Sequence, residues 1–230
     1  MREDGVQPFS ETPPGGLAVR GAVHLPAEPT GAALVLAHGA GSNHSTPLLV
    51  SVAHALAELG VTVLRCDLPY RQARSTGPPY PPGAARDRDG LRSAVAAIRR
   101  LAPGPVFLGG HSYGGRQASI LAAEDAAVVA GLVLLSYPLH PPHRPGEPRT
   151  AHFTRIQIPA LFVHGTRDSF GSIDELREAI ARIPAPTDLL VIEGGGHSLA
   201  PSRRDSDGPA VVAARTAAAF GRLSSLVRSA

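Results

Sequence analysis

The segment Gly110-His111-Ser112-Tyr113-Gly114 sets a serine between two glycines, each two positions away, directly after the apolar run Pro105 to Gly109. In the order strand, turn, helix, Gly-x-Ser-x-Gly is the pattern of a nucleophile elbow. The turn is tight and strained, so the positions flanking the serine at a distance of two must be small. Gly110 and Gly114 meet that need, and Gly115 leaves room for the next helix to pack close. A helix beginning behind the hydroxyl favours negative charge developing there. Read alone, the segment also admits a Gly-rich turn with an incidental serine; its place between a strand and a helix disfavours that reading.

Three other segments supply what such a serine needs. Asp168, in His164-Gly165-Thr166-Arg167-Asp168, follows the apolar run Ala160 to Val163. A carboxylate there can accept one N–H of an imidazole, fix its tautomer and stabilise its cation, although a lone loop aspartate is more often a turn or cap. His197, in Gly194-Gly195-Gly196-His197-Ser198, follows the last strand, and the glycines let that loop fold back toward the serine. Histidine suits the base because its ordinary pKa lies near neutrality. His38-Gly39-Ala40-Gly41 follows Ala32 to Ala37. Acyl transfer needs two backbone N–H groups aimed at the developing oxyanion, and the expected pair is Ala40 and Tyr113, with His38 bracing the loop.

The elements that must position these groups alternate along the chain. Strands are expected at Leu17 to Leu25, Ala32 to Ala37, Val61 to Arg65, Pro105 to Gly109, Val128 to Leu135, Ala160 to Val163 and Leu189 to Ile192. Helical periodicity fills the gaps. One helix has Thr46 as its cap, Pro47 in its first turn and Gly60 at its end. Others run from about Asp87 to Leu101, from about Tyr113 to Ala123, after the Ser172/Glu175 capping box, and from about Pro209 to Val227. Nearly continuous apolar strands alternating with helices predict an α/β fold, with a mostly parallel sheet covered on both faces. In such a sheet the loops leaving the strand carboxyl ends share one edge, where ligands bind. All four segments lie there. The Pro- and Gly-rich residues 1–16 read as a flexible arm, and 17–230 as one domain.

Composition narrows the function classes. The formal charge is +3, and all 22 basic residues are arginines scattered through the chain, with aromatics at only 4%. Without a clustered basic face or interleaved aromatics, a nucleic-acid partner is not expected. No nucleotide-loop signature is present, since Gly110-x-Ser112-x-x-Gly115 lacks the middle glycine of a dinucleotide fingerprint. No spaced His, Asp or Glu cluster suggests a metal. Cys66 is the only cysteine and reads as a small buried residue. With no apolar signal core near Met1 and no apolar run of roughly 20 residues, a soluble cytoplasmic protein without a membrane partner is expected. Oligomeric state is left open.

The order Ser112, Asp168, His197 is the nucleophile–acid–base order of the α/β-hydrolases, and the chain resembles that superfamily from the His38-Gly39 loop to the final helix. Within it, His38-Gly39-Ala40-Gly41, Leu68-Pro69-Tyr70-Arg71 and Gly110-His111-Ser112-Tyr113-Gly114-Gly115-Arg116 resemble the small KANL/Tex-type, dienelactone-hydrolase-like group. The resemblance implies a serine hydrolase that needs no cofactor and acts on a small-molecule acyl substrate. A catalytically silent binding or scaffold protein on the same fold is the alternative. Only about Ser136 to Pro159 is available for a lid, too little for a lid domain, so a shallow or open pocket and a small or exposed substrate are expected. Arg71, Arg74 and Arg116 are candidates for holding an anionic substrate group, set against a solvated or structural role for each.

Overall fold

The computed structural model describes residues 5–200 and 208–228. Eight strands form one sheet: β1 (Val6–Glu11), β2 (Val19–His24), β3 (Ala33–Ala37), β4 (Thr62–Cys66), β5 (Val106–His111), β6 (Gly131–Leu135), β7 (Ala160–Gly165) and β8 (Thr187–Ile192). Their spatial order is β1-β2-β4-β3-β5-β6-β7-β8. β3 to β8 are parallel, whereas β2 runs antiparallel to both β1 and β4. The order reverses at β3, so the loops after β3 and β5 diverge and open a crevice at the carboxyl edge.

Strand alternation explains why both faces are apolar. Leu34, Leu36, Phe107, Val133 and Leu161 point to one core layer, while Val35, Leu108, Leu132, Leu134 and Phe162 point to the other. The first layer is closed by α1 (Pro47–Glu58) and α6 (Gly208–Arg228) through Leu49, Val52, Leu56, Val212, Phe220 and Leu223. Between them in sequence lie α2 (Pro69–Ala73), α3 (Ala84–Ile98), α4 (Tyr113–Glu124) and α5 (Ile173–Ile180). Leu91 and Val95 of α3, Leu121 of α4 and Leu176 of α5 close the second layer. α6 has the length and mean hydropathy of a membrane span. Its apolar side is instead part of the core against α1.

Most expected elements appear, with ends displaced by one to three residues. The Ser172/Glu175 capping box forms: the Ser172 hydroxyl accepts the Glu175 N–H at 3.2 Å and the Glu175 carboxylate accepts the Ser172 N–H at 2.7 Å. Thr46 occupies the cap position of α1, but its hydroxyl makes no cap bond. Within the segment 1–16, read from the sequence as a flexible arm, residues 1–4 lie outside the described residues, while residues 6–11 form β1, which pairs from Val6–His24 to Glu11–Val19. Its residues carry Pro8 and several polar groups because an edge strand has only one neighbour to satisfy. Phe9 anchors it on the core. The long segment after β4 is also more ordered than a loop, containing α2 and a 3₁₀ turn at Pro81–Gly83.

Among the described residues, no helical lid covers the crevice. The segment between β6 and β7 is irregular apart from the 3₁₀ turn Phe153–Arg155, and it is tied down by the buried side chains of Tyr137, Leu139, Phe153 and Ile156.

Candidate active site

β5 runs straight into α4, and Ser112 stands at the junction with φ 51° and ψ −113°. Backbone strain of this kind persists only where the surroundings over-determine it. Here three bonds do so: Ser112 N–H to the Leu135 carbonyl at 2.8 Å, Gly114 N–H to the His38 carbonyl at 3.1 Å, and Arg116 N–H to the Ser112 carbonyl at 2.9 Å. The flanking glycines are required by packing. A Cβ on Gly114 would lie 2.7 Å from the Ala37 and His38 carbonyl oxygens, and one on Gly115 would lie 2.6 Å from the Gly110 oxygen.

The loops after β7 and β8 bring Asp168 and His197 to this turn. His197 Nδ1 lies 3.0 and 2.9 Å from the two Asp168 carboxylate oxygens, and its Nε2 lies 2.8 Å from Ser112 Oγ. Nδ1–H therefore donates to Asp168, which leaves the Nε2 lone pair to accept the serine proton. Burial pushes the Asp168 carboxyl up. The hydrogen bond and charge of His197, the Phe170 N–H at 2.9 Å and nearby His164 outweigh that effect and hold it below the usual carboxylate range. Phe170 also stacks on the His197 ring, centroids 4.0 Å apart at 27°.

His111, the variable residue before the serine, donates Nε2–H to the His197 carbonyl at 2.7 Å. Burial lowers its pKa to about 4, so it remains a neutral brace tying the histidine loop to the elbow. His164 braces the aspartate loop, donating to the Gly171 carbonyl at 2.9 Å.

On the other side of the serine, the N–H groups of Ala40 and Tyr113 are not engaged by any partner among the described residues. Both residues line one cavity of about 500 Å³ together with Ser112. The Ala40 N–H shares its peptide plane with the Gly39 carbonyl. That carbonyl accepts from His38 Nδ1 at 2.9 Å and Ser42 N at 3.2 Å, and the Tyr70 hydroxyl donates to the neighbouring Ala40 carbonyl at 2.9 Å. His38 is kept neutral by burial, and its Nε2 accepts the Leu68 N–H at 3.1 Å. Tyr113 is held from α3, its hydroxyl donating to Asp87 at 2.7 Å while the other Asp87 oxygen accepts the Tyr70 N–H at 3.1 Å. One buried carboxylate thus ties Tyr113 to Tyr70, whose hydroxyl in turn reaches the loop that carries the Ala40 N–H.

The three arginines singled out in the sequence separate. Arg71 is 7% exposed and spends its guanidinium on the carbonyls of Ser42, Arg74, Ala40 and Gly77. Arg74 is exposed and reaches the Pro78 carbonyl at 2.9 Å. Arg116 lines the cavity. Sequence reasoning missed Arg149, which lines the same cavity, as well as His111, Phe170 and Asp87. His111 alone had a local signal, its place inside the elbow. Cys66 is buried in β4, and burial and Asp67 push its thiol up to about 12, far from a thiolate nucleophile.

Residues 30–223 match the family model of an alpha/beta hydrolase domain, and the chain belongs to that family. The fold is shared with dienelactone hydrolase from Anabaena variabilis (TM-score 0.72, 20% identity, 95% of this chain and 98% of that one). It is shared too with a Xanthomonas campestris protein described as an α/β serine hydrolase without a lid (TM-score 0.66, 17% identity, 94% of each chain). Est1E from Butyrivibrio proteoclasticus is a third similar structure (TM-score 0.71, 17% identity, 94% and 99%). The resemblance to lidless, dienelactone-hydrolase-like proteins is therefore borne out.

Proposed function

We propose that the chain is a serine hydrolase that cleaves a carboxylic ester, thioester or related acyl bond of a small or exposed substrate. The observation that carries this reading is the unbroken hydrogen-bond chain from Ser112 through His197 to Asp168, beside the two unengaged N–H groups of Ala40 and Tyr113. A scaffold protein has no use for a strained serine whose hydroxyl faces an imidazole with the correct tautomer.

In the proposed reaction Ser112 Oγ attacks the substrate carbonyl carbon while His197 Nε2 takes the hydroxyl proton. The carbonyl oxygen becomes an oxyanion held by the Ala40 and Tyr113 N–H groups, where its charge is worth most in a partly dry cleft. Collapse expels the alcohol or thiol, which leaves with the proton from His197, and the acyl group stays on Ser112. Water then attacks, His197 takes its proton and returns it to Ser112 Oγ, and the acid departs. Asp168 stays ionised throughout and stabilises the imidazolium. The lidless cleft of about 500 Å³ suits a small acyl group.

The test is intact-mass analysis after treatment with a fluorophosphonate probe. Wild type is expected to gain one adduct, and Ser112→Ala and His197→Ala none. A folded wild-type protein that gains none would overturn the proposal in favour of a binding protein.

A further inference from the structure

The cavity that holds Ser112 is also lined by two guanidinium groups, Arg116 from the first turn of α4 and Arg149 from the segment before β7. Neither forms a salt bridge or side-chain hydrogen bond to an acidic residue among the described residues, and Arg116 Nε is buried without any partner. Other partly buried arginines are neutralised or saturated: Arg88 meets Glu124 at 3.1 Å, Arg65 donates to His24 at 2.9 Å, and Arg71 holds four carbonyls. Among the described residues, the cavity lining contains no carboxylate.

The fold fixes the backbone that carries each cation, and Arg116 is set within α4. Arg149 is pinned through its backbone, its N–H on the Leu139 carbonyl at 2.7 Å and its carbonyl accepting the buried Tyr137 hydroxyl at 2.7 Å. Burial, and then the charge of Arg116, lowers the pKa of Arg149, so the two guanidinium groups feel each other. Behind them His152 is neutral, lowered to about 4 by burial and by Arg116. Two like charges in a partly desolvated cleft repel, and an anion between them removes that cost. Arginine's planar fork fits a carboxylate with two parallel hydrogen bonds.

We infer that Arg116 and Arg149 form an anion subsite, and that the substrate of Ser112 is an ester carrying a carboxylate that docks between them. The inference rests on the proposed hydrolase reading and adds the substrate class. The sequence pointed to Arg116 among three candidates; the second cation comes from a segment that only the fold brings near.

The test compares 4-nitrophenyl glutarate, a monoanion, with the neutral 4-nitrophenyl pentanoate. Wild type is expected to favour the anion by about tenfold or more in kcat/KM, through KM, with the preference shrinking as salt is added. Arg149→Gln and Arg116→Gln should each lower the anionic-to-neutral ratio by about 10–100-fold, as loss of a charged hydrogen bond does. Arg149→Lys should restore only part of it. A second measurement needs no turnover: monomethyl glutarate should bind calorimetrically to Ser112→Ala and not to the Ser112→Ala, Arg149→Gln double variant. A ratio near one in wild type, or a ratio that neither glutamine variant changes, overturns the subsite. If that occurs while the neutral ester is cleaved and the fluorophosphonate adduct forms, the hydrolase reading stands. If no adduct or turnover is found but monomethyl glutarate binding depends on Arg149, the hydrolase reading falls and the anion site survives.

Discussion

Replacing Asp168 by Asn isolates the imidazole tautomer from the rest of the site. Asp168 Oδ1 accepts the Phe170 N–H at 2.9 Å, and both carboxylate oxygens accept from His197 Nδ1, at 3.0 and 2.9 Å. An asparagine keeps an acceptor for Phe170, so the loop retains its shape, but its NH₂ then faces Nδ1. The ring answers by placing its proton on Nε2, where it points at Ser112 Oγ and cannot accept the serine proton. The lost tautomer and the lost charge beside the imidazolium together cost about 10⁴ in kcat in the triad chemistry invoked here, or about 5 kcal/mol in the barrier. Steady-state hydrolysis of 4-nitrophenyl butyrate and the rate of fluorophosphonate labelling should fall together by that factor. A folded Asp168→Asn protein that loses less than tenfold in both would refute the assigned role. Linkage supplies an independent check. The folded pKa of Asp168 is depressed, so its contribution to stability is present above the unfolded value of about 3.9 and lost as pH falls through the folded value. Urea unfolding should show wild type more stable than Asp168→Asn at neutral pH, the two converging in strong acid. Parallel curves down to acid pH would contradict the depressed pKa.

Three further substitutions probe the supports of the site. His111→Ala leaves the His197 carbonyl without its 2.7 Å donor, and should cost about 1–3 kcal/mol in urea unfolding and roughly tenfold in kcat, since small misplacements of the base are expensive; an unchanged kcat would show that the histidine loop needs no brace. Gly114→Ala forces a Cβ to 2.7 Å from two backbone oxygens and should lower stability by about 1–3 kcal/mol or more, seen as a reduced Tm; a wild-type Tm would mean the elbow is looser than its contacts. Arg71→Ala removes donors to four carbonyls from a buried position and should destabilise by about 2–4 kcal/mol. It should depress neutral and anionic esters alike, whereas selective loss of the anionic ester would make Arg71 a substrate contact.

How far the sequence could be read depends on how local each determinant is. The elbow is a five-residue object whose strain, flanking glycines and following helix are all encoded within it. Asp168 and His197 were recoverable because parallel strands end at a common edge, so placing a residue just after a strand also places it in space. The same rule placed Ala40. β1 was hidden because an edge strand tolerates Pro8 and exposed polar residues, and so lacks the apolar run that reveals a buried strand. Asp87 was hidden because its partners, Tyr70 and Tyr113, lie on other elements, and a lone aspartate in a helix carries no sign of them.

The arginines show where the edge rule stops. Arg71, Arg74 and Arg116 all lie near strand ends in sequence, which gave each the same claim on the substrate. What separates them is the supply of unpaired carbonyl groups. The irregular segments around Ser42, Ala40, Arg74 and Gly77 have peptide oxygens without ladder partners, and Arg71 satisfies them from inside. On α4 the peptide groups around Arg116 bond to one another along the helix, so its guanidinium has no backbone to bind and is left facing the cavity. Arg149 occupies the same position for a different reason: its own carbonyl and N–H are taken up by Tyr137 and Leu139, fixing the backbone while the side chain stays free. An arginine that faces irregular backbone with unpaired carbonyls therefore becomes structural, as Arg71 does from α2, whereas one beside saturated backbone remains available to a ligand.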